Sequence, residues 1–417
     1  MRLVVFSCLG VCALLLGPVH LWAQTPEATP AQRLTEAEAV ARFMANDPRV
    51  RALNARIEAV RARHAERALW PNPAVSFSRE SVSNAEDTFL LARQELPISG
   101  SRGRLRAAGR VAVEAAQADA RFQTMQALAD FRTAYVGLLL AQEREAVLRN
   151  GIDALQGLVE VLRAREEGGE GSSYDRIRGA RAVLDLEADL AAAAAARTQA
   201  QGQLAAYLDP QTIPETLVAS DPLAPARSAS SLDTIIQEAL SNRGDYQATQ
   251  LSIAQFDAER AAATRLRVPT PTLTGGLKRS DTGSGSEAGY QFTLDIAVPL
   301  FSRGQAAAAL ASAQKAQAEA DAQSWRARIE AEVRAAHTVL TIHQERAARY
   351  RQSAVEIAEP LARIGRVAYE EGELGILELL DSERQALEAR LRILDLAAAA
   401  RRAAIDLDHA IGREFRP

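Results

Sequence analysis

The sequence predicts a mainly α-helical protein with a small β part, built from tandem helix–hairpin–helix repeats that each carry two strands. Three observations predict it. Tyr290, Phe292, Leu294, Ile296 and Val298 alternate with Gln291, Thr293, Asp295 and Ala297, the period-two pattern of a strand with one apolar face. Gln305 to about Val367 is dense in Ala, Glu, Gln and Arg, the composition of a very long helix. The junction between these regimes, Val298-Pro-Leu-Phe-Ser-Arg-Gly304, is echoed about two hundred residues earlier by Leu96-Pro-Ile-Ser-Gly-Ser-Arg-Gly103. Pro97 and Pro299 each remove a ladder donor, and Gly103 and Gly304 give the backbone freedom to turn into the helix.

Composition narrows the class. Hydrophobic residues make up 47% of the chain but aromatics only 5%, so the apolar content is mostly Ala and Leu, which suits closely approaching helices better than a thick core. A formal net charge of -4 argues against a nucleic-acid partner. Residues 1–23 read as a secretory signal peptide: Arg2, an apolar run from Leu3 to Leu16, Gly17-Pro18, then Leu21-Trp22-Ala23 before the cleavage point. That run is too short to span a bilayer. Cys8 and Cys12 fall inside it without a lipidation context, so the exported chain is expected to lack disulfide and thiolate chemistry.

Residues 24–33, rich in Pro, Ala, Thr and Gln, read as a flexible leader. Repeat 1 follows at 34–207. Thr35 with Glu38 opens a helix, Asn46-Asp47-Pro48 interrupts it, and a second helix stops at Trp70-Pro71-Asn72-Pro73. Strands are expected at about 74–80 and 88–97, a long helix at about 104–165, a tip at 166–173 and a helix at 174–207. Residues 208–231, with four prolines, form a linker. Repeat 2, at 232–412, replays the order: strands at about 272–279 and 289–299, a long helix at 305–367, a tip at 369–374, a helix at 375–410, and a tail at 413–417. The two tips align without a gap, Gly169-Glu-Gly-Ser172 over Gly372-Glu-Leu-Gly375.

The incoming and outgoing helices of each repeat, laid end to end, match the long helix between them, giving a rod of roughly 90–100 Å. A strand pair sits at one end of each repeat and a tight turn at the other. Four amphipathic strands cannot close a barrel alone. Their greasy face, on an exported chain, implies a membrane barrel, and lipid forbids open edges. Symmetric closure by three copies of four strands gives twelve strands.

At these residues the chain resembles the TolC-like outer-membrane efflux proteins. The resemblance runs from Leu34 to about Gly412. It is carried by the duplication, by the junction from Leu294 to Gln305, and by the Gly-x-x-Ser-x-x-Asp tip pattern at Gly169, Ser172 and Asp175. It implies a homotrimer, with a trimeric 12-stranded outer-membrane β-barrel on a long α-helical barrel, that conducts substrates passively across periplasm and outer membrane, with a periplasmic adaptor and an inner-membrane pump of the resistance-nodulation-division type as partners. It also implies a periplasmic gate: Glu378 and Asp381 match acidic ring positions six and nine after Gly372, and Tyr369 and Asp175 match the closing network. Leu374 stands where the family's closing arginine is expected, leaving Arg178 as the candidate substitute. Helix N-terminal acids favoured by the macrodipole are the plainer reading of the same carboxylates. Gly169, Ser172, Gly372 and Gly375 would form the turns that an adaptor grips. Tyr290, Phe292, Leu294, Ile296 and Val298 would face lipid, with Asp295 toward the lumen. The wording Gln94-Glu-Leu-Pro97 and Gly100-Ser-Arg102 is similar to the cobalt, zinc and cadmium exporting division.

Reaction chemistry is not expected. His64, His337, His343 and His409 lack ligand-like spacing, and Met44 and Met125 form no soft-metal cluster. No phosphate loop or nucleophile motif appears, so neither cofactor nor catalysis is called for. The competing reading is a soluble periplasmic coiled-coil adaptor or scaffold, against which the two equivalent hairpins and the paired strands at both junctions speak.

Overall fold

The computed structural model describes residues 31–83, 85–223 and 231–415. The expected signal peptide and most of the leader lie outside the described residues. In chain order the elements are β1 (Gln32–Leu34), α1 (Glu36–Asn46), α2 (Pro48–Glu66), β2 (Ala74–Val82), β3 (Ala85–Glu95), α3 (Ser101–Glu167) and α4 (Ser173–Ala205). Then come β4 (Leu217–Ala219), α5 (Leu232–Asn242), α6 (Gly244–Thr264), β5 (Pro271–Asp281), β6 (Ser286–Ile296), α7 (Gln305–Ser353), α8 (Glu359–Glu370) and α9 (Ile376–Ile411). At about 1.5 Å per residue the 67-residue α3 is roughly 100 Å long. It packs against α2 and α4 of its own repeat and against α6 and α9 of the other.

Alanine makes this packing possible. Ala108, Ala112, Ala115 and Ala118 of α3, and Ala397, Ala398, Ala400 and Ala403 of α9, are buried and let the backbones approach closely. Larger buried side chains gather around the middle of the rod and at its tip. Phe43 of α1 stacks on Phe131 of α3 with ring centroids 4.9 Å apart, and Ile235 and Ile236 of α5 pack on Ile329 and Val333 of α7.

The short helices are fixed by their ends. Thr35 caps α1 in a capping box with Glu38, as the sequence indicates. Asp47, between α1 and α2, accepts a bidentate pair of bonds from Arg49. At the corresponding break of the second repeat the charges are exchanged: Arg243 donates to Asp245, two residues on, and also to Glu332. Both break residues are buried, and both ion pairs leave few unmet lone pairs or protons, the condition under which a buried charge is tolerated.

The four long strands form one antiparallel sheet in the order β2-β3-β5-β6. Register settles its faces, because directly paired residues point the same way. Phe77 pairs with Leu90, Leu90 with Leu277, and Leu277 with Tyr290, so these side chains share a face with Val75, Leu273, Phe292 and Leu294. No described residue covers them: Tyr290 is 79% exposed and Phe292 73%. The opposite face carries Ser76, Ser78, Arg93, Thr293 and Asp295, and an ion pair from Lys278 to Asp87 at 2.7 Å.

Several details differ from the sequence reading. Leader residues Gln32 and Arg33, with Leu34, form β1, which pairs in parallel with β4 inside the expected linker. Three-residue strands carry too little periodicity to be seen in sequence. The barrel strands run further than expected toward their hairpin loops, through Val82, Asp281 and back to Ser286. At the other end β6 stops at Ile296, so Val298 lies beyond the last ladder pair, still exposed. The first junction turns at Gly100, φ 73°, and Gly103 sits inside the first turn of α3. The helix expected over 305–367 is interrupted by a π-turn at Ala354–Ala358, just before Pro360, which cannot donate the ordinary helical bond.

Gly100 and Gly304 serve the same turn in different surroundings. Both have positive φ, 73° and 80°. A Cβ at Gly100 meets nothing, whereas one at Gly304 runs into the Ala263 carbonyl and Leu266. Gly100→Ala is therefore expected to cost about 1–2 kcal/mol, the ordinary left-handed penalty. Gly304→Ala is expected to cost clearly more, because it also parts α6 from the junction. Urea-unfolding midpoints of the two variants check the order.

Candidate functional site

The end of the rod away from the sheet is formed by two hairpin tips of matching backbone. Gly169 and Gly372 both have φ 77°. Around them Glu170 N–H donates to Arg165 C=O at 2.9 Å, and Glu373 N–H donates to Ala368 C=O at 2.8 Å. These are the long closing bonds of the same helix-terminating motif, 203 residues apart. The outgoing helices then start differently. Ser172 accepts from Tyr174 N–H at 3.1 Å and caps α4, while Gly375 gives α9 no side-chain cap.

The tips are stapled together by Leu162, Tyr369, Ile376 and Leu379. Tyr369 is the pivot. It is buried, and the Arg165 guanidinium lies 5.6 Å from its ring centroid. Burial first, and then the nearby Asp175 carboxylate, push its phenol above the ordinary range. Tyr369 and Asp175, which belong to different repeats, line the same groove between the tips. Arg165 has no motif to announce it and was missed; only its helical spacing of three from Leu162 hints at a shared face.

The acidic candidates occupy defined helical positions. Asp175 is the third residue of α4 and Glu378 the third residue of α9, where the helix dipole favours a carboxylate. The Glu378 carboxylate folds back over Gly375. Asp381, one turn further, accepts from Arg384 Nη2 at 3.0 Å and Gln385 Nε2 at 2.6 Å. Arg178, which occupies the first-repeat position equivalent to Asp381, donates to Tyr174 Oη at 2.7 Å. Among the described residues it makes no ion pair, so within one chain it does not replace the bridge lost with Leu374. Arg178 and Asp381 do line one groove between the hairpins, together with Arg181, Asp185, Arg366 and Arg384. A lower groove is shared by Gly169, Ser172, Tyr369, Gly372, Gly375 and Glu378, which brings the expected tip residues to one place.

Among the described residues no cluster of His, Cys, Asp and Glu is suited to hold a metal ion, and no helix is long and apolar enough to cross a membrane. The sheet differs from the helices in exposing a continuous apolar face. Its exposed apolar band and its two unpaired edge strands, β2 and β6, lie at the opposite end of the rod from the tips. A duplicated hairpin rod that ends in such a sheet is one subunit of a channel whose β part sits in a membrane and whose helices stand beside it.

Comparison with known proteins gives that class its family. Residues 235–413 match the family of outer membrane efflux proteins. The chain is 24% identical over 348 residues to the cobalt-zinc-cadmium resistance protein CzcC of Cupriavidus metallidurans, covering 82% of this chain and 81% of that one. It is 26% identical over 309 residues to the nickel-cobalt-cadmium resistance protein NccC of Alcaligenes xylosoxydans, covering 71% and 66%. Its fold is shared with the MtrE outer membrane channel of Neisseria gonorrhoeae in its open state, at a TM-score of 0.73 and 20% identity, covering 91% and 89%. Residues 235–413 thus carry the pattern of the outer membrane efflux proteins, and the chain as a whole shares the fold of outer-membrane channels. It is the outer-membrane channel component of an efflux system, with its helical part in the periplasm.

Proposed function

We propose that three copies of this chain form one duct that passes heavy-metal cations delivered by an inner-membrane pump, of the resistance-nodulation-division type, through a periplasmic adaptor. The observation that carries the duct is the sheet: four strands with one uncovered apolar face and both edges unpaired. In hydrocarbon such a sheet needs neighbours on both sides, and three copies satisfy it symmetrically. The names of the two relatives support the cargo, since one is a cobalt-zinc-cadmium and the other a nickel-cobalt-cadmium resistance protein.

At the tip, Glu378 and Asp381 of three copies would ring the pore axis as carboxylates, repelling one another and attracting cations. Tyr369 and Asp175 hold the two hairpins in register beside them, and Arg178 faces the groove into which a neighbouring subunit's acid would come. Gly169, Ser172, Gly372 and Gly375 shape the turns offered to the adaptor. No residue of this arrangement binds cargo tightly; selectivity comes from pore width and charge.

The purified protein in a planar bilayer is expected to form stable channels of small conductance, blocked by divalent cations added from the tip side. Glu378→Ala with Asp381→Ala is expected to relieve that block at least severalfold. Unchanged block would remove these residues from the gate. For the cargo, cells lacking the chain are expected to retain cobalt, zinc or cadmium, with retention reversed by the wild-type chain; unaltered metal content would leave a duct for other substrates.

A further inference from the structure

Where the sheet meets the helices, the chain concentrates positive charge. The four junction segments, residues 63–70, 96–106, 262–271 and 297–311, contain Arg63, Arg67, Arg102, Arg104, Arg106, Arg265, Arg267 and Arg303 against a single acid, Glu66. This stands out in a chain whose formal net charge is -4. Helix chemistry does not account for it. Arginines at the C-terminal ends of α2 and α6 complement the dipole, but Arg102, Arg104 and Arg106 lie at the start of α3, where cations are unfavourable. Neither α3 nor α7 has an acid in its first turn or a side-chain cap.

Ion pairing does not account for it either. Arg67 is paired with Glu259 at 3.0 Å, Arg102 donates to the Ala68 carbonyl and lies over Trp70, and Arg303 donates to the Leu300 carbonyl. Arg63, Arg104, Arg106, Arg265 and Arg267 are exposed and form no ion pair among the described residues. Between them the junction loops expose large apolar groups, Phe301 at 90% and Trp70 at 58%, of the kind that settle at a membrane interface. A groove of about 790 Å³ joins the two features: Arg267 and Arg303 stand over a floor that includes Val298, Leu300 and Phe301. The floor is continuous with the apolar band of β6.

We propose that this collar binds the anionic headgroups of phospholipids in the periplasm-facing leaflet, with Arg267 and Arg303 holding one headgroup in the junction groove while its acyl chains lie along the β6 band. Three subunits repeat the collar around the barrel. The side of the sheet from which the helices leave fixes the leaflet, and charge complementarity fixes the headgroup class: phosphatidylglycerol and cardiolipin, not zwitterionic phosphatidylethanolamine. The inference rests on the outer-membrane channel reading. Conductance in a purely zwitterionic bilayer tests that reading separately, because the collar is not needed for the pore itself.

The test uses the full-length protein in detergent, titrated with phosphatidylglycerol or phosphatidylethanolamine, with thermal unfolding and bound lipid by native mass spectrometry as readouts. Phosphatidylglycerol is expected to raise the unfolding midpoint and to remain bound, and the preference is expected to shrink as salt is raised. Arg104→Gln, Arg106→Gln, Arg265→Gln and Arg267→Gln together are expected to abolish the preference, while Lys at the same four positions keeps it. Equal response to both lipids in the wild type, or an unchanged preference in the Gln variant, would overturn the proposal. Should the Gln variant fail to fold, the wild-type salt series decides: a preference that ignores salt overturns it.

Discussion

Peptide N–H and C=O groups in hydrocarbon have no water to bond, and each one left unpaired costs several kcal/mol. The four-stranded sheet pairs its interior strands through β3 and β5 but presents β2 and β6 as open edges. Its apolar face, with Phe77, Leu90, Leu277, Tyr290 and Phe292, is left uncovered by the described helices. A lipid environment answers the second fact and makes the first intolerable for a single subunit. The rest of the molecule follows. Duplication supplies equal strand pairs, and equal strand pairs under threefold symmetry close a ring in which every edge meets a partner.

The helical part answers a different constraint. A wall of aligned helices about 100 Å long has little interior volume, so many of its buried positions are filled by alanine, with larger side chains gathered at the equator around Phe43, Phe131 and Ile329 and at the tip around Leu162 and Tyr369. There the small parallel pair β1–β4 ties the start of the chain to the segment joining the repeats. The ion pairs at Asp47–Arg49, half exposed, and Arg243–Asp245, buried, mark equivalent breaks with opposite polarity. Duplication preserved the geometry of a charged break while the two repeats exchanged its signs.

Most of this architecture was legible in the sequence because its signals are long. The 55 residues from Gln305 to Glu359 without proline or glycine, a ten-residue alternation and a gapless alignment of two tips survive any local ambiguity. What escaped is short or conformational. Gly100 and Gly103 look alike in sequence, and only φ separates the turn glycine from the one inside α3. The π-turn before Pro360 reflects backbone bonds that composition does not encode. At the tip, Tyr369 and Asp175 could be singled out by their place in the motif, but Arg165 could not, since its position over the Tyr369 ring depends on how the two hairpins pack. The basic collar was present in the sequence as separate arginines, and only the fold collects them at one level.

The central claim is that β6 of one subunit pairs with β2 of the next. The direct measurement is cysteine cross-linking between those edges. The exported chain is expected to be cysteine-free, so one cysteine on β2 and one scanned along β6 report on a single contact. The account predicts covalent trimers as the limiting species, appearing at alternate β6 positions as the strand period requires. Monomers at every position, or an open ladder of ever longer species, would contradict closure of the sheet by three copies.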